Sequence, residues 1–271
     1  MAATLPDLET VVLRRGASNG GELRIELNRP ESMNAWDKQL GLDLLAAVEL
    51  AAGDESVRAV TITGGGRAFS SGADLRAGFD LTPEGRPDLG AALRERYHPI
   101  ITGVRRMPKP VLAAVNGPAV GIGCSLALAC DLVLATESAY LLLAFANIGL
   151  APDGGSSVFV LARAGAGRAA AMALLGERVP AAQATAWGLV DRLASDDSFA
   201  AEVEALAERL ATGPTRAYAA AKAQLNARVY SGLDEQLELE ASLQEEMAGS
   251  ADFEEGVLAF LEKRPATFTG D

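Results

Sequence analysis

The chain is poor in cysteine, histidine and aromatic residues. Its 271 residues include two cysteines, one histidine and 5% aromatic residues. Cys124 and Cys130 stand six positions apart in an apolar segment, so we expect buried free thiols and no disulfide framework. One histidine and two buried cysteines supply no ligand cluster, and we therefore expect neither a metal nor a redox cofactor.

Long apolar runs and a leader-like start are also missing. The first ten residues, MAATLPDLET, contain neither a basic cluster nor an apolar stretch, and no uninterrupted apolar run is long enough to span a bilayer. A net charge of −12 would repel polyanions over most of the surface. We expect a cytoplasmic protein with no nucleic-acid or membrane partner.

The sequence is rich in apolar residues, which make up 49% of it, and in glycine, of which it has 28. They suffice for a sizeable core, and strand-like and helix-like segments alternate along the first two thirds, which favours an α/β fold. Residues 22–27 alternate as a strand does, Leu40 to Val48 follow helical spacing until Gly53, and residues 57–63 form a β-branched strand. This order predicts a right-handed crossover unit.

The same alternation continues further along the chain. A helix is predicted over about 93–106, and strands are predicted at 111–115 and 131–135. Residues 76–90 are rich in glycine, proline and charge, which is typical of a mobile loop. From about Gly167 onward the pattern predicts helices throughout.

Two glycine turns stand where a strand hands over to a helix. The first N–H groups of a helix lack intrahelical partners and carry a positive dipole, so such a turn attracts a developing negative charge. Gly121-x-Gly123 superficially suggests a dinucleotide fingerprint, but Leu126 replaces its third glycine. The other turn lacks the Gly-Lys-Ser/Thr ending of a phosphate loop, so neither nucleotide motif is present.

Residues 68–75 read AFSSGADL and residues 110–127 read PVLAAVNGPAVGIGCSLA. These two stretches resemble the signature segments of the enoyl-CoA hydratase/isomerase, or crotonase, superfamily. Further resembling segments follow the family's order at residues 28–35, 148–155, 187–191 and 255–265. The resemblance therefore spans nearly the whole chain.

This resemblance implies an α/β fold, the crotonase (ClpP-like) spiral of ββα units, over residues 1–195, and a helical trimerisation region over 196–271. It implies a homotrimer or dimer of trimers that acts on an acyl-CoA thioester, as in fatty acid metabolism, with coenzyme A as part of the substrate and no separate cofactor. Two backbone amides hold the thioester oxygen in this family, and they match Ala73 and Ile122. Only the N–H groups matter, so these side chains are no objection.

The family also suggests where the coenzyme binds. In this family, adenine and pantetheine lie along the positions that match Asn34, Ala35, Asp74 and Leu75. A neighbouring subunit contributes the positions that match Phe260 and Lys263. Lys263 can instead be the cationic last turn of a helix. Arg76, which opens the predicted loop, can meet a coenzyme phosphate or only solvent.

The reaction is less directly indicated. Hydratases of the family use two glutamates around one water, but Ser125 and Phe145 stand at those positions, where we expect substrate contacts without proton transfer. Asp153 matches the aspartate of ring-isomerising enoyl-CoA isomerases, which implies a carboxylate over the α and γ carbons. Apolar neighbours would raise its pKa. Alternatively, Asp153 caps the following helix.

His98 offers a further possibility. Its spacing resembles that of the water-activating histidine of 4-chlorobenzoyl-CoA dehalogenase, another crotonase, whose nucleophilic aspartate matches Asp153. It can instead be a polar residue that starts a helix before Pro99. The sequence thus favours a Δ3–Δ2 or ring-type enoyl-CoA isomerase. The alternatives are a hydratase, a hydrolase or dehalogenase-like enzyme, and a non-catalytic acyl-CoA-binding protein.

Overall fold

The computed structural model describes residues 5–16 and 21–271. The strands are β1 (Val11–Arg15), β2 (Glu22–Leu27), β3 (Ala59–Gly64), β4 (Val111–Val115), β5 (Ala119–Val120), β6 (Leu132–Thr136), β7 (Tyr140–Leu142), β8 (Val179–Pro180) and β9 (Arg192–Ala194). Helices precede and follow them in the alternating order that the sequence predicts.

The first half of the described chain contains five α-helices and, between the second and the third of them, one π-helical segment at Leu93–Tyr97. They are α1 (Lys38–Gly53), α2 (Leu89–Ala92), α3 (His98–Arg106), α4 (Ile122–Ala129) and α5 (Ser156–Ala164), with short 3-10 turns at Pro30–Ser32 and Phe145–Ile148. The second half adds α6 (Ala166–Leu175), α7 (Ala181–Trp187), α8 (Phe199–Thr212), α9 (Thr215–Val229), α10 (Leu233–Met247) and α11 (Ala251–Glu262).

The described strands form two sheets. The larger sheet has the order β1-β2-β3-β4-β6-β9, antiparallel between β1 and β2 and parallel thereafter, and the smaller one has the order β5-β7-β8. Parallel neighbours need a crossover, which α1 supplies between β2 and β3. Because parallel strands end at the same edge, the turns after β3 and β4 lie close together.

Hydrophobic residues cover both faces of the larger sheet. On one face Ile25 and Ile62 pack with Leu44 of α1, and on the other Leu112 packs with Leu206 of α8. The C-terminal helices then fold back over the first half: α10 packs on α2, and α11 packs on the turn at Phe145–Ile148. This return brings the end of the chain to the strand edge where the glycine turns meet.

The strand predictions at 22–27 and 111–115 are confirmed, and those at 57–63 and 131–135 hold within two residues. The prediction of helices alone after Gly167 is wrong, since β8 and β9 interrupt them. Two or three residues are too few for an alternating pattern to be recognisable. The predicted loop contains a bridge between Leu81 and Pro87, and its mobility stays a prediction.

None of the helices in the described part of the chain is long and apolar enough to cross a membrane. Cys124 and Cys130 are both buried free thiols, as predicted. Burial raises the pKa of each thiol to about 12, so both stay protonated and unreactive at neutral pH.

Candidate active site

The two glycine turns run side by side. The N–H of Ser70 donates to the carbonyl of Pro118 at 3.0 Å, and the N–H of Val120 donates to the carbonyl of Ser70 at 2.9 Å. Gly72 and Gly121 follow with φ angles of 92° and 52°, which favour glycine. A Cβ on Gly72 would lie 3.1 Å from the carbonyl oxygen of Val120, so the close approach also requires the missing side chain.

Each turn then presents one backbone N–H to a common cavity. Ala73 follows Gly72, and Ile122 is the first residue of α4, which has no intrahelical acceptor for its N–H. Among the described residues neither N–H donates a hydrogen bond. Two unused donors on one cavity, one of them at the positive end of a helix, are suited to binding a negatively charged oxygen.

The cavity measures about 1520 Å³. Its wall includes the turn at Gly72-Ala73, the start of α4, the π-helical segment, the loop around Phe79, and α10 and α11. This volume exceeds the roughly 300–1000 Å³ of ordinary small-molecule sites, which suits a long ligand.

Asp153 contributes a carboxyl group to the wall of this cavity. The residue is 8% exposed, Oδ2 accepts a hydrogen bond from Nε2 of Gln244 at 3.0 Å, and Oδ1 has no partner among the described residues. A Cβ on the adjacent Gly154 would lie 2.5 Å from Cδ1 of Ile122, so this turn abuts the start of α4. Burial, together with the charge of Glu240, raises the pKa of Asp153 well above its usual range.

Helix capping by Asp153 is ruled out by the same geometry. Helix α5 begins at Ser156 after Gly155, and no side chain caps its N-terminus. Instead, the hydroxyl of Ser125 donates to the backbone carbonyl of Asp153 at 2.8 Å. That bond leaves the carboxyl group free to face the cavity.

Two residues of α10 support Asp153, and sequence reasoning missed both. Gln244 bonds to Asp153 and donates from the same Nε2 to the carbonyl of Ala151 at 2.7 Å. Glu240 is 2% exposed and accepts from the N–H of Gly155 at 2.8 Å and from the hydroxyl of Ser157 at 2.5 Å. Burial raises the pKa of Glu240 to about 7.

Tyr97 lines the cavity as well, and the sequence analysis missed it. It ends the π-helical segment, and its ring meets that of Trp36 edge to face at a centroid distance of 5.1 Å. Burial and the charge of Asp153 raise the pKa of its phenol, which therefore stays neutral. A π-helical segment often marks a functional site, but no sequence pattern predicts where such a segment forms.

A family model described as "Enoyl-CoA hydratase/isomerase" matches residues 18–271. The chain belongs to the enoyl-CoA hydratase/isomerase family. It is 46% identical over 246 residues to a "Probable enoyl-CoA hydratase" of Rhodobacter capsulatus, covering 91% of this chain and 93% of that protein. It is 39% identical to the "1,2-epoxyphenylacetyl-CoA isomerase" of Escherichia coli, covering 92% of this chain and 95% of the other.

A solved structure supports the same family assignment. The crystal structure of an enoyl-CoA hydratase from Mycobacterium avium subsp. paratuberculosis K-10 superimposes with a TM-score of 0.88 at 40% identity. The match covers 97% of this chain and 100% of that one. The architecture described above is therefore the crotonase fold.

Within this family frame, the residues at the two hydratase glutamate positions differ in location. Phe145 lines the cavity, with its ring atoms 3.9 and 4.0 Å from the place of a Cβ on Gly121. Ser125 is fully buried behind the wall, and its hydroxyl donates a hydrogen bond to the backbone carbonyl of Asp153. The predicted contact of Ser125 with substrate is thus replaced by a contact with the turn that carries Asp153.

The predicted coenzyme-binding residues also divide. Those in the cavity wall are Ala35, Asp74, Leu75 and Phe260. Asn34 is fully buried, and its side-chain amide donates to the carbonyls of Gly65 and Ala68 at 2.9 and 2.8 Å, so its side chain supports the turn. Lys263 lies outside the wall as the left-handed residue that ends α11.

Phe260 reaches the cavity of its own chain, whereas the family resemblance suggests a neighbouring subunit as its source. Arg76 and Arg67 are both exposed residues of the cavity wall, and neither forms an ion pair within the described residues. Arg67 was missed because a single arginine after a glycine turn has no distinguishing pattern. Two exposed cations in the wall are suited to an anionic ligand.

His98 does not line the cavity. It is partly buried inside a continuous helical stretch, Nε2 has no partner among the described residues, and burial lowers its pKa. His98 is the first residue of α3, as the helix-start interpretation predicts, and α3 continues directly from α2 and the π-helical segment before it. The structure does not bring His98 to the carboxyl group of Asp153, as a water-activating role would need.

Proposed function

We propose that the enzyme shifts a carbon–carbon double bond in an enoyl-CoA thioester, as a Δ3–Δ2 or ring-type isomerase. One observation carries the proposal: within the described cavity wall, Asp153 is the carboxyl group that is buried and has no cation partner. The other wall carboxylates are paired, used as caps or exposed, namely Glu31, Asp37, Asp74, Asp80 and Asp88.

The reaction needs only a proton and a place for negative charge. The thioester oxygen accepts hydrogen bonds from the N–H groups of Ala73 and Ile122, and the Asp153 carboxylate takes a proton from C2. The C–H electron pair moves into an enolate, and Asp153 returns the proton to C4 as the double bond moves to C2–C3. Loss of one oxyanion donor typically costs about 3 kcal/mol in barrier height.

The raised pKa of Asp153 supports this role, because a carboxyl group that must both take and return a proton works best with a pKa near the working pH. Relatives with isomerase names include the 1,2-epoxyphenylacetyl-CoA isomerase and a "Trans-2-decenoyl-[acyl-carrier-protein] isomerase" of Streptococcus mutans, at 39% and 32% identity.

Hydration is the second candidate, favoured by the hydratase name of the Rhodobacter relative. A hydratase would have to position water with Asp153 and without two glutamates, since Ser125 and Phe145 occupy those positions. Hydrolase or dehalogenase-like chemistry would need the same water, and a non-catalytic acyl-CoA-binding protein would leave every thioester unchanged.

The test is to incubate the purified enzyme with a 3-enoyl-CoA and, separately, a 2-enoyl-CoA, following the conjugated-thioester absorbance and the product mass. We expect conversion of the 3-enoyl substrate without gain of mass. Asp153→Asn should lower the rate at least about 100-fold, because general acid–base catalysis typically contributes that much or more.

Asp234→Asn is the matched control, since Asp234 pairs with Arg106 on the surface, where an ion pair contributes little. It should retain the wild-type rate. A water adduct from the 2-enoyl substrate that forms equally fast with Asp153→Asn would refute both the isomerase proposal and the role of Asp153. Coenzyme binding without turnover would support the non-catalytic alternative.

A further inference from the structure

We infer that α10 supplies two positioning residues for the reaction: Gln244, which orients Asp153 so that Oδ1 carries the proton, and Glu240, a second buried carboxyl group that favours the neutral form of Asp153. The inference rests on the proposed function, because it assigns roles around the same carboxyl group. Its physical basis can nevertheless be measured without any substrate.

Gln244 holds Asp153 at one oxygen only. Its Nε2 donates to Oδ2 of Asp153 at 3.0 Å and to the carbonyl of Ala151 at 2.7 Å, so one side-chain amide spans both ends of the turn. Rotation of the carboxyl group would break the first bond inside a buried site. Oδ2 is therefore held by the hydrogen bond from Gln244, and Oδ1 is the oxygen that can exchange a proton with the substrate.

Two buried acceptors near each other have no donor. Oδ1 of Asp153 and Oε1 of Gln244 are both buried and lack partners among the described residues, although the two side chains are joined by a hydrogen bond. An ionised Asp153 leaves both acceptors unsatisfied, which costs about 1–3 kcal/mol for each group. A proton on Oδ1 turns one of these acceptors into a donor, so the surroundings favour the neutral acid.

Glu240 acts in the same direction. It lies one helical turn before Gln244, and no lysine or arginine in the described residues pairs with either Glu240 or Asp153. Two buried carboxyl groups that share a site resist simultaneous ionisation. Accordingly, burial raises the pKa of both groups, and the charge of Glu240 raises that of Asp153 further.

Within residues 5–16 and 21–271, no lysine or arginine of the other elements packed around Asp153 forms an ion pair with it. The π-helical segment contributes Tyr97, whose phenol stays neutral, and Arg96, which pairs with Asp80. Helix α4 contributes Ser125, whose hydroxyl donates to the backbone carbonyl of Asp153 and not to its carboxyl group. Burial is the largest cause of the raised pKa of Asp153. From α10, the charge of Glu240 raises that pKa further, and the hydrogen bond donated by Gln244 lowers it. The enzyme should lose activity on acidification, as Asp153 takes up the proton that it must lack to act as a base.

A direct test uses the enzyme labelled with ¹³C at the aspartate side-chain carboxyl carbon. The Asp153 signal is assigned by its loss in Asp153→Asn, and its chemical shift is followed through a pH titration. We expect the midpoint of Glu240→Gln to lie about one pH unit or more below that of the wild type, because a like charge is removed. Gln244→Glu should move the midpoint upward.

Glu246→Gln is the matched control, because Glu246 is exposed on the same helix. Its midpoint should equal that of the wild type. The two active-site variants should shift in opposite directions, so a loss of folding in one of them still leaves the other as a test. A midpoint unchanged in both, or an Asp153 midpoint near 4 in the wild type, the usual value for an exposed carboxyl group, would overturn the inference.

Kinetics then separate positioning from mere stability. Gln244→Leu should lower kcat about tenfold or more with KM changed less than about twofold, since the substrate contacts remain while Oδ1 is no longer oriented. The acid limb of kcat/KM in Glu240→Gln should move down with the titration midpoint. If the titration shifts occur but no isomerisation is found, the proposed function fails while the coupling of the carboxyl groups stands.

Discussion

A buried carboxyl group such as that of Asp153 binds its proton more tightly in the folded chain than in the unfolded chain, where its pKa is about 4. Between pH 4 and the raised pKa, the folded state therefore holds more protons than the unfolded state. The free energy of unfolding then falls as the pH rises, because an ionised carboxylate must remain buried. Asp153 and Glu240 both contribute in this direction.

At the residue scale we expect Asp153→Asn to stabilise the fold more at pH 8 than at pH 5. Asparagine keeps the shape and cannot ionise, so the cost of the buried charge disappears where that cost is highest. The measurement is the free energy of unfolding from urea titrations at the two pH values. Equal stabilisation at both pH values would show that Asp153 has an ordinary pKa. Asp234→Asn serves as the exposed control.

Single residues differ in how far the sequence predicts them. Asp153, Ala73 and Ile122 stand in motifs next to glycine turns, and the structure brings all three to one cavity. Gln244 and Glu240 lie about ninety residues from Asp153 along the chain, within a helix whose pattern resembles any amphipathic helix. Their role depends on how α10 packs, and one sequence does not reveal that packing.

At the scale of elements, a buried charged cluster joins the C-terminal helices to the sheet. Asp131, just before β6, accepts from Nζ of Lys222 on α9 at 2.7 Å and from Arg105 on α3 at 3.2 Å. It also accepts from the N–H of Val111 at 2.9 Å. One carboxylate thus connects two helices and a strand, and its partners Lys222 and Arg105 are buried.

We expect Asp131→Ala to lower the free energy of unfolding by about 3–5 kcal/mol, because two buried cations lose their counter-charge. Urea denaturation followed by circular dichroism measures the change. The surface pair gives the comparison: Asp234→Ala, which removes the partner of Arg106, should cost less than about 1 kcal/mol. Similar costs for the two variants would contradict the structural role given to this cluster.

Element boundaries follow from the sequence where the pattern is long. Helix α1 and strands β2 and β4 match their predicted ranges, since each has a clear period and a definite end. Strands β8 and β9 and the π-helical segment do not, because each depends on a neighbouring element rather than on its own residues. The C-terminal region predicted to begin at residue 196 contains α8 to α11, and its trimerising role stays a prediction.

At the scale of the whole molecule, many large apolar side chains remain exposed on the single chain. They include Leu161, Leu174, Leu175, Leu225, Val229, Leu258, Phe260 and Leu261. Exposed apolar surface of this extent commonly marks an interface between chains. The family resemblance implies that further copies of this chain cover this surface.

We propose a homotrimer or a dimer of trimers, and expect light scattering at micromolar concentration to give a mass of three or six times the 28.1 kDa of one chain. Leu174→Glu and Leu225→Glu place charges on two of these exposed positions, and at least one should reduce the mass. A monomer mass for the wild type would contradict the proposal.

We propose above that one carboxyl group, that of Asp153, moves a proton between two carbons of an enolate. The most direct measurement follows a 3-enoyl-CoA carrying deuterium at C2, with the product analysed for label at C4. We expect label at C4 in part of the product from the wild type, and no conversion by Asp153→Asn. Product that carries only solvent hydrogen at C4, formed as fast by Asp153→Asn as by the wild type, would contradict it.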